Sequence, residues 1–143
     1  RWYKFTSLGL VGDDTLDTIF SCEYTKDSDV GTYVITPTDC TFTSGVKNNY
    51  NIEYVNGTLS VYGSSYNKAS KTVKIYSNHD TDVDCYVVSY AENGTLDGIK
   101  KEHCSLKADE ISTIDISSLN IAENDSIKIF LWDNNLTPVE ITN

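Results

Sequence analysis

The sequence predicts an all-β protein built from two small β-sandwich domains in tandem. Three features lead there. Val, Ile, Tyr and Thr recur with period two, as in the run from Tyr33 to Ile35, Asn49 to Val55, Ile111 to Ile116 and Ser126 to Trp132. Asn-Gly pairs at 56–57 and 93–94 stand between such runs as tight-turn signals. Residues 63–70, GSSYNKAS, lose apolar content and gain Gly and Ser, which marks a linker. The domains therefore fall at 1–62 and 72–143, with 63–71 between them. A chain of 143 residues suits one domain or two small ones.

Trp2, Tyr3 and Phe5 open an apolar, strand-like segment that ends near Leu10, and Gly12 breaks it. Asp13 and Asp14 can cap a short helical turn over 15–20, where Leu16, Ile19 and Phe20 share a side; a strand over 19–24 reads equally well. Strands are expected at 32–37, 50–55 and 58–62, with residues 43–49 as a loop. After the linker come strands over 72–76, 85–90 and 96–104. The last two form a hairpin about Asn93-Gly94. Runs over 111–116 and 126–132 complete the second domain. Short strands with turns every eight to twelve residues or so are the pattern of a sandwich.

The net charge of −10 comes from acids spread along the chain, and it repels phosphates, so nucleic acid is excluded as a partner. No apolar run approaches the ~18 residues that span a membrane, so no membrane insertion by this stretch is expected. With no Met and an Arg-Trp-Tyr start, the chain is expected to be a piece of something longer. Of the four cysteines, Cys22 and Cys40 lie in the first half, Cys85 and Cys104 in the second. No C-x-x-C pair exists and only two His are present, which speaks against zinc. Two disulfides suit a secreted domain with a small core. Four cysteines allow three pairings. The pairs 22–40 and 85–104 are favoured because each closes a loop about an expected turn, and free buried thiols are the alternative.

Asp80, Asp82 and Asp84 place hard oxygens at alternate positions, a spacing that could ligate Ca²⁺. An EF-hand loop needs Gly at its sixth place, where Cys85 stands, and the stretch runs into a strand. A solvated acidic edge is therefore the preferred reading, with no metal site expected. Trp2, at a chain end, is a candidate sugar-stacking residue, whereas Trp132 in an alternating strand is read as core. His103 and Cys104 are neighbours, yet adjacent strand residues point to opposite faces and so do not form a nucleophile and base. No G-x-S-x-G, H-E-x-x-H or phosphate-loop motif appears, so neither an enzyme nor a cofactor is expected. A Lys–Asn isopeptide, for instance Lys74 with Asn143 or Lys4 with Asn56, is not selected by any spacing.

VGTYVITPTD at 30–39 and NNYNIEYVNGTLSV at 48–61 resemble the closing half of the bacterial repeat modules known as MBG or YDG domains. LGLVGDDTL at 8–16 resembles the segment that precedes it in those modules. The resemblance covers residues 5–62 and lacks the family's opening strand, so the chain is expected to start inside a module. CYVVSYAENGTLDGIKKEHCSL at 85–106 and SIKIFLWDNNLTPVE at 126–140 are similar to a small Ig-like β-domain of Gram-positive surface and carbohydrate-active proteins. That similarity covers residues 72–140; the cysteine pair and the short Asn134-Asn135 turn depart from it.

The first domain is thus expected to be Ig-like or grasp-like with one short helical turn, and the second an Ig-like sandwich. The resemblances imply a non-catalytic spacer or display module of an extracellular bacterial surface or secreted protein, cell wall included. Its partners would be neighbouring domains of a longer chain. The alternative is an adhesin module that binds a glycan or host protein through exposed aromatics or loops.

Overall fold

The computed structural model describes residues 3–142. It is all-β, and its residues fall into two compact units. The first holds Arg1–Lys26 and Thr32–Leu59; the second holds Asp27–Gly31 and Ser60–Asn143. The chain crosses between them three times, after Lys26, Gly31 and Leu59.

In the first unit, β1 (Thr15–Ser21) pairs antiparallel with β2 (Gly31–Ser44), and β3 (Gly57–Val61) lies on the other side of β2. The helical turn expected over 15–20 is strand β1, because its residues alternate between half-buried and exposed, a period-two pattern. The expected strands over 2–10 and 50–55 do not form among the described residues. Those segments are irregular, and the single helical turn among the described residues is a 3₁₀ turn at Lys47–Asn49. β2 carries a bulge. Asp17 faces Thr41 while Ile19 faces Thr38, so two steps on β1 answer three on β2. Asp39 takes φ +47° there, a left-handed conformation that Asp tolerates better than most residues. The freed groups of Cys40 find side chains: its N–H donates to Tyr54 Oη at 2.9 Å, and its carbonyl accepts from Lys47 Nζ at 3.1 Å.

The second unit has two three-stranded sheets. One runs β4 (Gly63–Asn67), β5 (Thr72–Tyr76), β8 (Ile111–Asp115); the other runs β7 (Leu96–Leu106), β6 (Thr81–Tyr90), β9 (Ser126–Trp132). All their pairings are antiparallel. One core joins the two sheets: Val73, Ile75 and Ile114 from the first, and Val83, Cys85, Val87, Cys104 and Leu106 from the second. Residues 63–71, expected to be a linker, are instead edge strand β4 and a turn. Their polar side chains have partners: Asn67 Oδ1 accepts from the Ser70 N–H, and Ser65 Oγ accepts from the Val30 N–H at 3.0 Å. Asp29 fixes the same edge, 3.1 Å from Lys74 Nζ and 3.2 Å from Asn67 Nδ2. Val30, with 7 % of its surface exposed, packs behind it.

Two substitutions test these supports by chemical denaturation. Ile75 is fully buried, so Ile75→Ala is expected to lower the stability of the second unit by about 2–5 kcal/mol. Tyr54→Phe leaves the Cys40 N–H without its acceptor and should weaken the first unit by about 1 kcal/mol; unchanged stability would show that the Tyr54 bond does not hold the bulge.

Candidate functional site

The outer face of the sheet β7-β6-β9 gathers chemistry-bearing side chains. Its geometry follows from the pleat. On β6, Val83, Cys85 and Val87 point into the core, so Asp84, Tyr86 and Val88 point outward. On β9, Ile127, Ile129 and Leu131 pack on the core, so Lys128, Phe130 and Trp132 point outward. Register sets Asp84 beside Trp132 and His103, and Tyr86 beside Phe130 and Lys101.

Three half-buried rings touch on this face. Tyr86 and Trp132 have centroids 5.1 Å apart, as do Phe130 and Trp132, with planes tilted 49° and 41°. Lys101 Nζ lies 5.6 Å from the Tyr86 centroid, a cation–π distance, and Lys128 Nζ lies 5.3 Å from that of Tyr90. Asp84, only 6 % exposed, receives Lys101 Nζ at 3.1 Å and His103 Nδ1 at 2.9 Å. The His103 bond, then the Lys101 bond, hold the Asp84 carboxyl below its ordinary value against a smaller opposing effect of burial. Asp84 in turn raises the Lys101 ammonium.

Trp132 was expected in the core; it lies on the opposite face, because Lys128 shares its parity on β9 and fixes that face as the polar one. The Lys128 position was the signal in the sequence, and it marks Phe130 as well. Trp2, the candidate stacking residue, lies outside the described residues.

The three aspartates do not converge. Asp80 accepts from the Ala108 N–H at 2.9 Å and from Lys107 Nζ at 3.1 Å; Asp82 accepts from Ser105 Oγ at 2.6 Å; Asp84 is engaged as above. Each carboxylate is thus drawn to different partners on the neighbouring residues of β7 and the turn after it, and the three do not gather about one point. Among the described residues no group of three His, Cys, Asp or Glu is placed to hold a metal.

The expected disulfides are not formed: all four cysteines are free thiols in this structure. Register explains both. Ser21 faces Thr36, whereas Cys40 lies in the bulge opposite Thr18, so Cys22 is four residues further along, about 13 Å away. A bridge needs Cα atoms within about 7 Å. In the hairpin, Cys85 faces Glu102 and Cys104 faces Val83, so the two sulfurs are diagonal core neighbours, not a facing pair. Burial, then the charges of Cys104 and Glu102, push the Cys85 thiol up to about 12. His103 and Cys104 do point apart, one to Asp84 and the other to the core. Lys74, considered for an isopeptide, is paired with Asp29, and Asn143 lies outside the described residues.

The first unit has an open groove of about 700 Å³ under its sheet, lined by Phe20, Pro37, Phe42, Ile52, Tyr54 and Val55 among others. Among the described residues Cys40 is the one apolar side chain of this unit that is buried.

Two measurements follow. Iodoacetamide on the native chain near pH 8 should label half-buried Cys22 first and leave Cys85 unlabelled until denaturant is added, read by peptide mass; early labelling of Cys85 would contradict its burial. Asp84, Asp80 and Asp115 all have lowered values. Their stabilisation is complete above the unfolded value of about 3.9 and fades as pH falls from there through the folded values. Asp84→Asn should therefore flatten part of the loss of stability below about pH 4 and lower stability at neutral pH, as followed by circular dichroism.

Residues 3–60 match the family model described as the MBG domain, YGX type, which is 58 of the chain's 143 residues. No curated protein and no solved structure matches the chain. No helix among the described residues is long and apolar enough to cross a membrane. The MBG-type resemblance of the first half is thus shown, and it points to a repeat module of bacterial surface proteins.

Proposed function

We propose that this chain is a non-catalytic module of an extracellular bacterial surface or secreted protein, spacing or displaying neighbouring domains of a longer chain. The observation that carries the reading is the MBG-type match over residues 3–60. Two features support it. The units are joined by three chain crossings and not by one linker. The second unit is held by a core shared between two three-stranded sheets, which supports an Ig-like sandwich there. A binding role is a second reading, favoured by the ring cluster of Tyr86, Phe130 and Trp132.

Protease shaving of intact producing cells, followed by peptide mass spectrometry, tests the location. Peptides from this chain should appear in the shaved fraction or the culture medium. Recovery solely from the cytosol after lysis would overturn the reading.

A further inference from the structure

We infer that the outer face of the sheet β7-β6-β9 is a binding platform for a neutral polysaccharide, with Tyr86, Phe130 and Trp132 as its stacking surface. This deepens the second reading above and leaves the spacer reading as it stands.

The rings are placed by the backbone, not by chance packing. Tyr86 and Phe130 face each other across β6 and β9, and Trp132 lies one pleat further along, beside Asp84. Each ring leans on another at about 5 Å, which fixes its orientation before any ligand arrives. Nothing in the core needs them: the inward side chains of β9 are Ile127, Ile129 and Leu131. The apolar C–H face of a pyranose stacks on such rings, and its hydroxyls need donors and acceptors at the border. Lys101 and His103 stand at that border, 55 % and 58 % exposed, both oriented by Asp84.

Charge selects the ligand class. The chain as a whole carries −10, yet this face holds two ammonium groups, Lys101 and Lys128, against two carboxylates, Asp82 and Asp84. Both carboxylates already accept short bonds from side chains of β7. A neutral ligand seated on Tyr86, Phe130 and Trp132 leaves the Asp84 ion pairs in place and brings no charge of its own, whereas an anion would meet the field of an acidic protein. Nucleic acid is disfavoured for the same reason.

Affinity electrophoresis of the full chain tests this, in native gels containing mannan, dextran or hydroxyethyl cellulose. Hyaluronan gels and immobilised fibronectin serve as the anionic and protein comparisons. At least one neutral polymer should retard the chain. Trp132→Ala and, separately, Tyr86→Ala should weaken that retardation about tenfold, with the thermal midpoint reporting whether each variant is folded. Lys101→Ala alters an exposed side chain and should weaken it several-fold even if a ring variant fails to fold. Retardation untouched by Lys101→Ala and by every folded ring variant would overturn the inference. Retention by hyaluronan or fibronectin alone would overturn it while keeping a binding role, and no retention by any of the five would overturn both. Neither outcome bears on the surface location.

Discussion

The two-residue period of β6 is the constraint on which the second unit depends. One backbone serves two surfaces: Val83, Cys85, Val87 and Ser89 go to the core, while Asp84, Tyr86 and Val88 go outward. A register slip of one residue would turn Asp84 and Tyr86 into the core and turn Val83, Cys85, Val87 and Ser89 out of it. Two features hold the register. The Asn93-Gly94 turn closes with Gly94 at φ +84°, with the Ala91 N–H on the Thr95 carbonyl at 2.9 Å. At the bulge beside Ser89 and Tyr90, Gly98 leaves room that a side chain would take. A Cβ there would stand 3.0 Å from Ser89 Oγ and 3.2 Å from Leu119 Cδ2.

The first unit is organised differently. Its sheet faces an open groove, and Leu16, Phe20, Phe42 and Ile52 are at best half-buried. Its order comes from specific polar bonds as much as from burial. Tyr54 and Lys47 satisfy the bulge at Cys40, and Tyr50 Oη donates to Asp14 while accepting from the Val11 N–H. Each such bond contributes roughly 1 kcal/mol, against roughly 1.5–3 for a fully buried aliphatic side chain. Stability is therefore expected to be unequal between the units, with the second supplying the larger share.

Much of this was legible in the sequence because it is local. Alternation located seven of the strands at least in part, and Asn93-Gly94 located the hairpin. The MBG-type resemblance marked the first half with nearly the boundaries of the family match. What was not legible depends on distant partners. GSSYNKAS looks like a linker by composition; it is a strand because Asp29 and Val30, some 35 residues earlier, supply its polar and apolar contacts. Residues 50–55 alternate like a strand but make no ladder, and Tyr54 spends its hydroxyl on the bulge instead. The disulfide pairings assumed that turns sit midway between cysteines. The strands pair instead with Ser21 facing Thr36 and Cys85 facing Glu102, registers that the spacing of the cysteines does not encode.

Cysteines of extracellular proteins are usually paired. For Cys85 and Cys104 the surroundings of each thiol account for its low reactivity without a bridge. A thiol at about 12 is ionised in roughly one molecule in 10⁵ at pH 7, and the thiolate is the reactive species. Cys85 is fully buried, and Cys104, also raised by burial first, is nearly so. Both pack with Val83 and Val87 as small apolar groups, in the place where a sandwich core needs volume and not a cross-link. The offset register keeps the two from facing each other, and the same burial shields both from oxidants.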